Sequence, residues 1–353
     1  MPGLPELLWY LKDRGGSDLH LVAGLEPRIR RHGSLEAVAG WPVLDAAAVQ
    51  ALLAEMTTAA QWEEYQRLHD LDFANGLEGV GRFRINYFFQ SRGPSAVFRL
   101  IPETIATLEE LAMPAAIGGL ADVRSGLILL TGPTGCGKST TLAAVVDRIN
   151  TRYSRHIVTI EDPVEFVHRD KRSRFSQREV GTDTDSFSSA LRAAIREDAD
   201  VILVGEMRDL ETISLAITAA EMGAVVFGTL HTNGAANTID RLVDAFPAEE
   251  QAQIRTTLAE SLAGVVSQQL LRTADGRGRC AVAEILLRTP GLPNVIREGN
   301  TPMIQTIIQG GRGAGMQLMD DALAAAVDAK RVTPRDAYLK ATNKARFENM
   351  IHD

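Results

Sequence analysis

The chain has 353 residues, of which 45% are hydrophobic and 23% are charged. These shares are typical of globular proteins, and the length predicts two domains rather than one. The net charge of −8 and an aromatic share of 5% argue against a protein whose main partner is nucleic acid. The basic run at 169–178 is interpreted as a solvated loop. Two cysteines, Cys136 and Cys280, are too few for a disulfide framework or a four-cysteine zinc site.

The sequence predicts a cytoplasmic protein. Its two cysteines suit a reducing compartment. Residues 1–18 lack a basic segment followed by an apolar one, so we expect no signal peptide. No stretch reaches the roughly 18 apolar residues that a membrane-spanning helix needs. We therefore expect the chain to reach a membrane only through a partner.

Residues 1–100 predict a mixed α+β domain. Gly15 and Gly16 end a first short helix, and Asp45 and Thr58 are suitable N-caps for two further helices. The remaining segments alternate in the manner of strands, with a turn around Gly76 to Gly81. The predicted order is helix 4–12, strands 17–24 and 27–35, helices 45–55 and 58–68, and strands 71–90 and 95–101.

Residues 101–119 are interpreted as a linker, in which Pro102 and Pro114 act as breakers. Buried strands then alternate with helices up to about residue 290, which predicts an α/β core with a mostly parallel sheet. Residues 291–353 are predicted to be helical, with Thr333 and Pro334 at one helix start. The four predicted strands are 125–132, 156–163, 199–206 and 224–232, and an amphipathic helix is predicted through Phe187 to Ile195.

A P-loop follows the first of these strands. The segment from Gly132 to Ser139 matches G-x-x-x-x-G-K-[ST] at every fixed position and precedes a predicted helix. Its glycines allow the loop to wrap around a triphosphate, whose negative charge the helix N-terminus favours. Lys138 is predicted to reach the β- and γ-phosphates, and Ser139 to bind Mg²⁺. The predicted ATP-binding residues are Gly132, Pro133, Thr134, Gly135, Cys136, Gly137, Lys138, Ser139 and Thr140.

Acidic residues end two further strands. Glu206 follows a buried strand, as in a Walker B motif, and is predicted to face Mg²⁺. Glu161, Asp162 and Glu165 cluster after the strand 156–161. Hydrolysis needs a carboxylate to orient or deprotonate water, and the sequence does not choose between Glu161 and Glu165.

His231 ends the fourth predicted strand, where it could contact the γ-phosphate. Arg82 and Arg84 share one face of a strand in the first domain, and Arg99 lies on the next strand. Two interpretations of these arginines stay open: surface ion pairs, or arginine fingers that reach a phosphate.

Four segments resemble the PilT family of type IV pilus retraction ATPases, within the secretion ATPase superfamily. They are GPTGCGKSTTLA, IEDPVEF, the stretch from Ser186 to Thr212, and GTLHTNGAANTIDRLVDAFP. Shorter matches, such as GGSDLHL and GMQLMDDAL, extend the resemblance over nearly the whole chain.

The resemblance implies a PAS-like N-terminal domain and a RecA-like ATPase core that form a hexameric ring with ATP between the domains. It further implies that the ring docks, at the cytoplasmic side, on an inner-membrane platform protein. Glu165 becomes the favoured catalytic carboxylate, and His231 anchors a histidine motif. Arg84 and Arg99 become the favoured phosphate-reaching arginines, with Arg82 close to them.

One stretch departs from the family pattern. Retraction members often carry an AIRNLIRE-like segment, whereas residues 291–298 read GLPNVIRE. This leaves open an accessory retraction ATPase of the PilU kind, which would act beside a sister ATPase. The sequence also leaves open a pilus assembly or secretion motor, a nucleic-acid motor, and a ring partner that binds ATP without hydrolysing it.

Overall fold

The computed structural model describes residues 3–31, 33–101 and 104–351. The chain divides into two compact units. The first unit holds residues 1–104 and the short segment 165–167, and the second holds residues 105–164 and 168–353.

The first unit is an antiparallel sheet with helices. Its six strands lie in the order β3-β2-β1-β6-β5-β4. The elements are α1 (Leu4–Asp13), β1 (Asp18–Val22), β2 (Arg28–Arg31), β3 (Ser34–Ala37), α2 (Ala46–Ala54), α3 (Ala59–Leu68), β4 (Asp70–Leu77), β5 (Gly81–Gln90) and β6 (Gly93–Ile101).

Helix α1 is held by one leucine face. Leu4, Leu7, Leu8 and Leu11 follow helical spacing and are all completely buried. They join the same hydrophobic core as alternate residues of β5, such as Tyr87. Because alternate residues of a strand share a face, this pattern shows that one face of the sheet packs against the core.

The second unit contains a seven-stranded sheet in the order β13-β12-β7-β11-β10-β8-β9. All neighbouring pairs are parallel except β12 with β13. The strands are β7 (Gly126–Thr131), β8 (His156–Glu161), β9 (Arg174–Glu179), β10 (Val201–Val204), β11 (Val225–Leu230), β12 (Leu262–Arg272) and β13 (Arg279–Leu287).

Helices cover both faces of this sheet. Leu127 and Leu129 of β7 enter one core cluster, whereas Ile128 and Leu130 enter another. Burial on both faces explains the continuous apolar sequence of this strand. The helices are α4 (Ala115–Gly119), α5 (Lys138–Arg152), α6 (Phe187–Ala194), α7 (Leu210–Glu221), α8 (Ala235–Asp244), α9 (Gln251–Ser261), α10 (Leu292–Glu298), α11 (Met303–Gly310), α12 (Met319–Asp328), α13 (Pro334–Lys340) and α14 (Ala345–Ile351).

The α/β prediction is confirmed: the four predicted strands of the core correspond to β7, β8, β10 and β11, and helices follow residue 291. The hairpin of β2 and β3 replaces a single predicted strand, and β9, β12 and β13 were not predicted. The predicted linker contains the short helix α4. Pro102, predicted as a breaker, lies outside the described residues.

Across the described parts of the chain, no helix combines the length and apolar character that crossing a membrane requires.

Candidate active site

The order of four strands brings the predicted core residues to one edge of the sheet. β7, β11, β10 and β8 are consecutive neighbours and run parallel. Their carboxyl ends therefore meet at the same edge, where open α/β sheets bind ligands. The P-loop follows β7, His231 follows β11, Glu206 follows β10, and Glu161 ends β8.

The P-loop leads directly into α5. Gly137 is the N-cap, with φ of 89°, and Lys138 is the first helical residue. A glycine cap has no side chain to occupy the first-turn amides, which makes this helix end suitable for an anion. The buried Lys138 ammonium donates to the carbonyl oxygens of Gly132 and Pro133, at 2.7 and 3.3 Å. The Lys138 ammonium group thus contacts the first two residues of the P-loop.

A chain of polar contacts joins the P-loop to Glu206. His231 Nε2 lies 3.0 Å from Glu206 Oε1, and His231 Nδ1 lies 3.5 Å from Thr134 Oγ1. Arg208 Nε lies 2.6 Å from the same Glu206 oxygen. The structure therefore brings together three groups that the sequence analysis assigned separately, and it adds Arg208.

The charge of Glu206 depends on its neighbours. Burial raises the pKa of the Glu206 carboxyl, but Arg208 and then His231 outweigh this effect and hold the pKa below its usual range. The carboxyl group is consequently ionised at neutral pH, as a group that attracts a cation requires.

The three acidic residues at the end of β8 and after it have different environments. Thr159 Oγ1 and Gln177 Nε2 donate to Glu161 Oε1, at 2.7 and 3.3 Å. Asp162 is exposed. Glu165 belongs to the segment that groups with the first unit. The geometry thus holds Glu161 in a fixed orientation within the second unit.

The three predicted arginines lie on neighbouring strands of the first unit. Arg84 on β5 is directly opposite Arg99 on β6, and Arg82 is two residues from Arg84. Arg84 is exposed and Arg82 half-buried. Arg99 Nε lies 2.8 Å from Oδ1 of the buried Asp18. The ion-pair interpretation therefore describes one contact of Arg99, and a role at a phosphate stays a prediction.

A cavity of about 740 Å³ opens beside the P-loop. It is lined by the start of α5, by β12 and β13, by the segment before α4 and by the residues after α12. Pockets of several hundred Å³ suit small organic ligands. Sequence reasoning missed this cavity because its walls come from segments far apart along the chain.

Sequence reasoning also missed Gln268. Its side chain is almost completely buried on β12 and contacts both the P-loop and α5. The available signal was a pair of glutamines, Gln268 and Gln269, in a mostly apolar strand, and this signal is weak by itself. No group of three or more His, Cys, Asp and Glu side chains that could hold a metal occurs among the described residues.

Comparison with known proteins shows the family of the chain. The profile of the family "Type II/IV secretion system protein" matches residues 28–334. The chain belongs to this family, and its fold and P-loop make it an ATPase of the P-loop class.

The sequence relatives give a narrower grouping. The chain is 49% identical to the type IV pilus retraction ATPase PilT of Pseudomonas aeruginosa, over 98% of this chain and 99% of that protein. It is 48% identical to a twitching motility protein of Neisseria gonorrhoeae, over 91% and 86%. It is 37% identical to the type IV pilus ATPase PilU of Pseudomonas aeruginosa, over 98% and 90%.

A solved structure shares the fold of the whole chain. The crystal structure of the pilus retraction motor PilT with bound ADP superposes with a TM-score of 0.92 and 40% identity, covering 99% of this chain and 100% of that chain.

Proposed function

We propose that the chain is an ATP-hydrolysing motor that powers type IV pilus retraction and thereby twitching motility. The observation that carries the proposal is the meeting of the P-loop, His231 and Glu206 at one sheet edge. Its full-length similarity to a retraction ATPase supports the same function.

ATP would place its phosphates along Gly132 to Thr140, with Lys138 neutralising the β- and γ-phosphates. The base and ribose would occupy the cavity that begins beside Gly137. The placement of the phosphates uses the helix end whose first-turn amides favour an anion.

Mg²⁺ is the proposed metal, with Ser139 and Glu206 as its protein contacts. Mg²⁺ usually binds through one or two carboxylates, phosphates and waters rather than in an all-protein cage. One hydroxyl at the start of α5 and one ionised carboxylate fit this requirement. When bound, Mg²⁺ would neutralise charge on the phosphates.

Hydrolysis would use carboxylates of this chain. We propose Glu165 as the catalytic carboxylate that orients or deprotonates the attacking water, with Glu161 as the alternative. His231, held by Glu206, would contact the γ-phosphate. Arg84 and Arg99 would stabilise phosphate charge, and Arg82 would contact the nucleotide.

The proposed assembly is a homohexamer on the cytoplasmic side of the inner membrane, attached through a pilus platform protein and without nucleic acid. A sister retraction ATPase would share the work. The proposed domains are an N-terminal PAS-like domain of residues 1–100, a linker of 101–119, a RecA-like ATPase core of 120–290 and a helical region of 291–353.

Two substitutions test the chemistry in the purified protein. Lys138→Ala removes the charge beside the phosphates, so we expect loss of nucleotide binding. Glu165→Gln keeps the shape but removes the base, so we expect ATP binding without turnover. Calorimetric binding and phosphate release with Mg²⁺ measure both effects. Normal turnover in Glu165→Gln would reassign the catalytic carboxylate, and Glu161→Gln would then be the next variant.

Deletion of the gene tests the biological direction of the motor. A retraction motor predicts more surface pili and no twitching, whereas an assembly motor predicts loss of pili. Residues 291–298 include α10 and depart from the retraction pattern in their first half. Retained twitching with a reduced retraction force in the deletion strain would indicate the accessory ATPase. The sequence identities favour the retraction motor, since the identity to PilU is 37% and the identity to PilT is 49%.

A further inference from the structure

Gln268 connects two parts of the phosphate-binding segment. Its Nε2 donates to the carbonyl oxygen of Cys136 within the P-loop at 2.7 Å. Its Oε1 accepts from Thr141 Oγ1 in the first turn of α5 at 2.9 Å. The Gln268 side chain is 1% exposed and Thr141 is completely buried. Both hydrogen bonds therefore lie away from solvent, where loss of a partner is costly.

Two glycines of the P-loop, Gly132 and Gly137, fit closely against Gln268. A Cβ at Gly132 would lie 2.2 Å from the Gln268 backbone oxygen, and a Cβ at Gly137 would lie 3.0 Å from Gln268 Nε2. Gly132 has φ of 139° and Gly137 has φ of 89°, a region that favours glycine. Thus β12 shapes the loop at its first and sixth positions.

The strand that carries Gln268 is itself held firmly. Residues of β12 pair with β7 up to Ser267 opposite Thr131, immediately before the P-loop. On its other side β12 pairs with β13 over nine residues, from Gly264 to Arg272. A side chain on such a strand has little freedom to move relative to β7. The position of Gln268 relative to the P-loop is therefore fixed by the sheet.

We propose that Gln268 is a positioning residue for the P-loop, which it holds in its phosphate-binding shape through Cys136 and Thr141. This inference rests on the proposed nucleotide binding and deepens it. The backbone amides of a P-loop bind phosphate only when they converge on one point. A brace that fixes the carbonyl of Cys136 and the first turn of α5 keeps the intervening amides in that arrangement.

Gln268→Met is the decisive variant, because methionine has a similar length but cannot make either hydrogen bond. We expect the Kd for ADP with Mg²⁺ to rise about 10- to 100-fold, the range that corresponds to loss of buried hydrogen bonds. Isothermal titration calorimetry gives the Kd, and circular dichroism melting shows whether the variant is folded.

Gln269→Met is the matched control. Gln269 is the next residue on β12, it is half-buried, and it points to the opposite face of the sheet. We expect its Kd for ADP to equal that of the wild type. Thr141→Val removes only the bond to Gln268 Oε1, so we expect a smaller rise in the Kd. In the double variant Gln268→Met/Thr141→Val, the loss of binding free energy for ADP should be smaller than the sum of the losses in the two single variants.

Each outcome separates this inference from the proposed function. A wild-type protein that does not bind ADP would overturn the proposed function itself. An unchanged Kd in a folded Gln268→Met protein, with only the melting temperature lowered, would overturn the positioning role. If Gln268→Met does not fold, Thr141→Val decides, and an unchanged Kd in that variant also overturns the role.

Discussion

His168 shows how one side chain makes the stability of the protein depend on pH. It is half-buried, and its ring stacks on Phe175 with centroids 4.5 Å apart. Burial lowers the pKa of His168 to about 4; Asp147 acts in the opposite direction and Lys171 adds to the decrease. The imidazole is therefore neutral in the folded protein at pH 7.

Between pH of about 6.5 and about 4, the unfolded chain binds a proton at His168 that the folded protein does not. The free energy of unfolding should consequently fall as the pH drops through this window. His168→Phe keeps the stack and removes the titration, so it should lose less stability between pH 7 and pH 4.5. Urea unfolding at the two pH values measures the difference, and equal losses in both proteins would contradict it.

Some residues of the site could be predicted from the sequence and others could not. The P-loop was recognised because its spacing is a local requirement of phosphate binding. Gln268 and Arg208 were not recognised, because their contacts come from other strands or from a loop conformation. Arg174 and Arg178 were interpreted as part of a solvated loop, which is wrong, since both lie in β9.

At the scale of elements, α3 tests how far local sequence fixes a helix start. Thr58 Oγ1 accepts from the Gln61 amide at 3.3 Å, and Gln61 Oε1 accepts from the Thr58 amide at 3.0 Å. This capping box satisfies two amides that the helix itself cannot satisfy.

Thr58→Ala should lower the free energy of unfolding by about 1 kcal/mol, because one of these bonds is lost. Thr58→Ser keeps the hydroxyl and should remain within a few tenths of the wild type. Urea unfolding at pH 7 compares the three proteins. Equal stability of the alanine and serine variants would show that the cap does not contribute.

Strands differed in how far the sequence predicted them. β7, β10 and β11 were predicted because burial on both faces requires continuous apolar runs. β9 was missed because it is a mostly polar strand at the edge of the sheet, next to β8. Hydrogen bonding to β8, from His156 opposite Arg174 to Glu161 opposite Glu179, makes it a strand in spite of its composition.

At the scale of the whole molecule, Arg84 and Arg99 test the proposed participation of the first unit in catalysis. Arg84 is exposed, whereas Arg99 pairs with the buried Asp18. If both arginines stabilise phosphate charge, Arg84→Ala should lower kcat by about 10³-fold or more with little change in stability. Arg99→Ala should lower both kcat and stability, because it leaves a buried carboxylate without this partner.

Asp18→Asn separates the two effects of Arg99. It weakens the ion pair but keeps the arginine, so stability should fall while kcat is largely retained. Steady-state ATPase assays and thermal unfolding of the same preparations measure both quantities. Unchanged turnover per folded protein in Arg84→Ala and Arg99→Ala would exclude a role at the phosphates. The remaining role would then be the structural ion pair of Arg99 with Asp18.

The sequence by itself determined the α/β class, the four central strands, the P-loop and the acids and histidine at strand ends. Each of these depends on residues that are adjacent in the chain, through apolar periodicity or motif spacing. The tertiary structure decided the strand order, the contact of His231 with Glu206, the hold of Asp18 on Arg99 and the bridge made by Gln268. These depend on pairing between segments that are far apart in the chain, such as Thr131 and Ser267 on β7 and β12, which no local pattern encodes.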